Sequence, residues 1–167
     1  MTENLYSRSF QQAITMHESG IRQEQILTYL ASAAETAAGY DTAVSILLLD
    51  EDGLLRNAAS PQLPPDYLQA IDGLRPDANV GTCAAAAATG SVVVTPSFYA
   101  DNKWGELRHL SLALGYVAAW SMPIKNENNS VIGTFGTYFR QHRQPSDEEM
   151  SGTELLASAV AIVLRKH

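Results

Sequence analysis

Residues 42–60, TAVSILLLDEDGLLRNAAS, place an apolar run, an acidic turn closed by Gly53 and a second apolar run in immediate succession. That order predicts a β-hairpin, with one strand over about residues 43–49 and its partner over about 54–59. A second hairpin follows further on: YVAAWSMPIK, the turn NENNS, then VIGTFGTYFR, rich in the aromatic and β-branched residues that suit a pleated surface. A brief run, SVVVTPS, adds one more strand. A chain with two hairpins and a lone strand is bound to an antiparallel sheet of about five or six strands.

Helical periodicity brackets this sheet. From about residue 11 to 38, Ile14, Ile21, Ile26, Leu27, Leu30, Ala33, Ala34 and Ala37 recur at three- and four-residue steps, with Gly20 bending or interrupting the helix. At the other end Ser146, followed three residues later by Glu149, reads as a capping box. It opens a helix whose apolar stripe, Leu155 to Val163, is too broad for one sheet face to cover. Between them PQLPPDYLQAIDGL leads into a short helix bearing Tyr67, Leu68 and Ile71. NVGTCAAAAATG starts an alanine-rich helix, and ADNKWGELRHLSLALG predicts a helix with Trp104, Leu107, Leu110 and Leu114 on one side. The fold class is α+β: one domain over residues 1–167, terminal helices on one sheet face, and connecting helices over a ligand cup on the other.

Composition narrows the function. At 167 residues, 46% hydrophobic and 17% charged, the chain has the make-up of a folded soluble domain. Its N-terminus lacks the basic start and apolar run of a secretory signal, and no stretch is long enough to span a bilayer, which predicts a cytoplasmic protein. A net charge of −7 without a basic stripe argues against direct nucleic-acid binding. One cysteine excludes an internal disulfide framework, and four scattered histidines show no zinc spacing. No nucleophile, base and oxyanion donor stand at interpretable spacing, so no catalytic residue, metal or cofactor is implied.

The order of three pieces is similar to a GAF domain over roughly residues 26–164. They are the ILLLDEDGLL hairpin, VGTCAAAAATGSVVV, and WSMPI followed by VIGTFGTYF. The resemblance implies a sensory module of bacterial signal transduction, including two-component systems. A cupped sheet would hold a small-molecule ligand, while the terminal segments 1–38 and 146–166 form a homodimer or signalling bundle. They would pass the signal to a histidine kinase or cyclic-dinucleotide output. Bilin-bearing relatives attach their chromophore through a cysteine followed by histidine, whereas Cys83 precedes Ala84. Relatives that reduce free methionine sulfoxide use more than one thiol. A reductase of that kind is one alternative, and a ligand-free interaction module is another.

The residues expected at the ligand are Cys83, Ala84, Ala85, Trp104, His109 and Trp120. If GTCAAA begins a helix facing the cup, the free amides of Cys83, Ala84 and Ala85 offer donors to an anion or carboxylate. The alanine run 84–88 would leave the ligand space. Cys83 itself either packs as a small apolar side chain or responds to redox through a helix-lowered pKa. Trp104 and Trp120 would wall the site, and His109 beside Arg108 would reach a carboxylate or phosphate. Strand alternation puts Trp120 and Ser121 on opposite faces, without saying which face is inward.

Overall fold

Gly20, at φ 81°, divides the N-terminal helical stretch into α1 (Leu5–Glu18) and α2 (Gln23–Ala38). A computed structural model describes residues 4–39, 41–99 and 108–165, with the backbone alone at 108–110. The first hairpin follows as β1 (Thr42–Leu49) and β2 (Leu55–Ala59). Its turn is organised by Asp50, whose Oδ1 accepts from the Asp52 and Leu54 amides, each at 2.9 Å, while Oδ2 accepts from Arg56 at 2.8 Å. Asp50 thus serves the bend, while Glu51 and Asp52 are exposed. Then come α3 (Pro65–Ile71), α4 (Gly81–Thr89), β3 (Val93–Thr95), α5 (Arg108–Ala113), β4 (Ala118–Lys125), β5 (Val131–Phe139) and α6 (Asp147–Val163). The remainder of the helix predicted around Trp104 lies outside the described residues.

The five strands form one antiparallel sheet in the order β2-β1-β5-β4-β3. Register aligns Ser45, Gly136 and Ser121 across its three central strands. The period of two then separates the faces. Val44, Ile46, Trp120, Met122 and Phe135 join Ile26, Leu27, Leu30, Leu156 and Val160 in the core beneath the terminal helices. The opposite face carries Ala43, Ala119 and Tyr138 against Tyr67, Ile71 and Phe98, and Leu47 against Cys83 and Ala84.

The last helix begins as its sequence requires. Ser146 Oγ accepts from the Glu149 amide at 3.1 Å, and the Glu149 carboxylate accepts from the Ser146 amide at 2.8 Å. Arg143 pairs with the same carboxylate and stacks over Phe139, 4.0 Å from the ring centroid. The broad stripe of α6 is covered within the chain: the sheet takes one side, while α1 and α2 take the rest. Gly152 lets this happen, because any β-carbon there would overlap the Tyr6 ring on α1. The part of the stripe that the sheet leaves uncovered is therefore packed by the chain's own N-terminal helices.

Candidate functional site: the cup beneath α3, α4 and α5

The start of α4 sits directly on the sheet. Its N-cap, Val80, lies in extended backbone and supplies no side-chain acceptor, so the first amides of the helix have no capping side chain. Gly90, at φ 68°, closes the other end. Ala84, Ala85 and Ala86 are buried as α4 packs on β4 and β5. The alanine run thus brings helix and sheet together. It does not leave the ligand space expected of it.

Cys83 is 7% exposed and points at the sheet, where the Ser121 hydroxyl donates to its sulfur at 3.5 Å. Burial pushes the thiol's pKa up, against the pull of neighbouring hydroxyls. The helix start therefore does not yield an activated thiolate here, since desolvation outweighs it. The packed reading of Cys83 is the one the geometry supports. Beside it on the sheet, Thr134 is fully buried.

The middle of the cup holds a chain of hydroxyls. Tyr67 on α3 donates to the Tyr138 oxygen on β5 at 3.0 Å. Its own oxygen lies 3.0 Å from Ser111 Oγ on α5, and because its proton is already committed to Tyr138, Ser111 is the donor. The Tyr67 and Tyr138 rings meet edge to face at a centroid distance of 5.9 Å, and Tyr116 closes on Tyr138 at 5.6 Å. Burial pushes Tyr67 up to about 12, so it remains a phenol and a donor throughout the physiological range. Three side chains thereby tie two of the cover helices, α3 and α5, to the sheet.

The space left among Cys83, Ala84, Tyr67 and Tyr138 has a volume of about 20 Å³. That is room for one water at most. The roomy hollow expected there is filled by the tyrosines.

Of the residues expected at the ligand, Cys83 and Ala84 line this space, and Ala85 is buried one position further along α4. Trp120 is on the wrong face: it is 1% exposed in the core under the terminal helices, its indole N–H without a partner among the described residues. Trp104 lies outside the described residues. His109 falls on α5, and its side chain also lies outside them. The expectations passed over the hydroxyl trio. Its signal in the sequence is tyrosine, in place of phenylalanine, at two apolar-patterned positions, 67 and 138. Among the described residues no three His, Cys, Asp or Glu side chains group as metal ligands. Among the described residues no helix is long and apolar enough to cross a membrane.

This arrangement of a five-stranded antiparallel sheet, terminal helices on one face and a covered cup on the other agrees with the family comparison. The sequence model of the GAF domain matches residues 22–165. The chain belongs to the GAF family. It is 32% identical over 132 residues to the methyl sulfide methyltransferase-associated sensor of Methanosarcina acetivorans, a match covering 79% of this chain but 13% of that protein. The chain thus spans a small part of the curated relative's length. Among solved structures, a domain of a two-component sensor histidine kinase protein from Sinorhizobium meliloti superposes with a TM-score of 0.69 at 24% identity, covering 83% of this chain and 88% of that one. The reduced form of fRMsr of Staphylococcus aureus superposes at 0.73 with 16% identity, covering 96% and 95%. At these identities the two structures speak for the GAF fold alone. Helix α1 lies ahead of the matched span.

Proposed function

We propose that this GAF domain is a non-catalytic sensory module of cytoplasmic signal transduction, taking a small polar or anionic molecule into the cup and reporting it through α1, α2 and α6. The observation that carries this reading is the buried Tyr67–Tyr138–Ser111 trio. It puts exchangeable hydrogen bonds between cover and sheet, next to the start of an α4 that has no side-chain cap. An acceptor inserted there exchanges one hydroxyl partner for another, so a parted hydroxyl is not left unpaired. The space beside Cys83 and Tyr67 holds about 20 Å³, so entry there requires the cover to move away from the sheet.

The sensor role in the Methanosarcina relative supports the same reading. The output is a histidine kinase or cyclic-dinucleotide domain joined at the terminal helices, where a second copy would also associate. A thermal-shift series with small carboxylates, phosphates and nucleotides tests the cup. A ligand present at a hundred times its Kd adds about 2.7 kcal/mol to the folded state. The expected result is a saturable rise that Tyr67→Phe weakens. A series in which nothing raises the midpoint would favour the ligand-free interaction module.

The reductase alternative is disfavoured by chemistry. A sulfenic acid on Cys83 has no second thiol in this chain to resolve it, and the sulfur is buried. Thiol-dependent turnover of free methionine sulfoxide would reinstate that alternative.

A further inference from the structure

A second hollow among the described residues lies outside the cup. It opens at the end of the sheet, between the C-terminal half of α2 and the turn after β2, with a volume of about 670 Å³. Glu35 and Thr36 line it from α2, Asp41 from the approach to β1, Gln62 from the turn, and Tyr116 and Arg140 from the strand ends.

Glu35 is its unusual member. The side chain is 7% exposed, and its Oε2 accepts from the Val44 amide at 3.0 Å. No cation pairs with it among the described residues. The guanidinium on the rim is engaged elsewhere: Arg140 donates to the Leu114 carbonyl at 3.2 Å, lies 4.5 Å from the Tyr116 ring centroid and faces Asp41 at 3.7 Å. Burial raises the Glu35 pKa, with the Val44 amide and the nearby Gln62 side chain acting against it. A carboxylate taken out of water with only neutral partners lowers the stability of the fold. Kept beside a solvent-connected hollow, it marks a place for a positive charge from outside. The rim is also strained: Asp41 holds φ 70°, outside the usual range for a residue with a side chain.

We infer that this hollow is a second ligand site, distinct from the cup, for a small organic primary ammonium compound whose N–H groups donate to Glu35, with Asp41 adding charge at the mouth. With Arg140 facing Asp41, the Glu35 carboxylate is the charge of the lining that no described cation pairs, and it opposes an anion. The volume exceeds what a bare metal ion fills. Because Glu35 belongs to α2 and Val44 to β1, occupancy bears directly on the α2–β1 seam, and α2 packs against α6.

Propylammonium chloride, titrated into the intact chain while amide correlation spectra are recorded, tests the site. The expected result is saturable movement of the Val44, Thr36 and Gln62 signals, with sodium chloride and sodium acetate inert. Glu35→Gln keeps an acceptor for Val44 and removes the charge, so it should weaken binding about tenfold or more, the worth of one charge-assisted hydrogen bond. Asp41→Asn should weaken it less, and Tyr67→Phe in the cup should leave it unchanged. The inference is overturned if propylammonium does not move Val44, if acetate moves it equally, or if Glu35→Gln binds as well. It is also overturned if Glu35→Gln melts below the unaltered protein at neutral pH, which would make Glu35 a structural anchor.

Discussion

The Cys83 sulfur occupies the space that a side chain at position 136 would take: a β-carbon on Gly136 would stand 2.7 Å from Sγ. Helix α4 is thereby keyed to β5 at one point, opposite Ser45 and Ser121 on the neighbouring strands. Gly136→Ala should destabilise the fold by about 1–3 kcal/mol, the usual cost of overpacking a filled core. Adding Cys83→Ala should recover part of that loss, because the two sites are in contact and their effects do not add. Urea denaturation of the single and double variants measures both numbers.

The thiol itself should be silent in the native protein. Burial raises its pKa and shields it, so iodoacetamide labelling should stay slow across about pH 7 to 9, where a free thiol would speed up strongly. Denaturant should release the reaction at the unfolding midpoint. Rapid native labelling that climbs with pH would restore the redox role.

Tyr6 and Gly152 predict the behaviour of α1. Gly152→Ala pushes on the Tyr6 ring, so α1 should loosen from α6 while the sheet persists. Residues 19–22, which join α1 to α2, are exposed and include Arg22, giving trypsin a cleavage point. Cleavage there should be several-fold faster in the variant, on the order of the factor expected for about 1 kcal/mol of lost docking. Unchanged cleavage would show that the ring is not the anchor.

Glu35 makes stability depend on pH with a definite sign. Its folded pKa is raised above the ordinary 4.5, so below that value both folded and unfolded chains hold the proton and nothing is lost. As pH rises through 4.5 the unfolded chain releases its proton first, and stability falls until the folded carboxyl has also ionised. Glu35→Gln lacks this decline. The variant should therefore gain thermal midpoint relative to the parent between mild acid and neutral pH, with a constant difference in stronger acid.

Much of the architecture was legible because the local signals agreed with one another. The capping pair Ser146 and Glu149, the break at Gly20 and the turn closed by Gly53 each satisfy backbone demands within a few residues, and each appears where its chemistry places it. Long-range matters were not legible. Alternation along β4 separates Trp120 from Ser121, but only the packing of α2 and α6 against the sheet decides that the indole belongs to their side. The alanines of α4 fit either a vacant pocket or a close contact, and Gly136, more than 45 positions away, selects the contact. The α6 stripe is explained by Tyr6, which no periodicity within α6 reveals. Likewise the meeting of Tyr67 with Tyr138 joins residues 71 positions apart, so the cup's filling is a property of the tertiary fold.

The placement of α1 ahead of the shared GAF span has a mechanical consequence. The berth on α6 around Gly152 is roofed by a segment outside the span that the family model matches. A pull on the amino-terminal end is then delivered first to Tyr6 and the berth beneath it. Because α1 packs on α6 and α2, tension arriving from that end would bear on the helical layer before it bore on the strands.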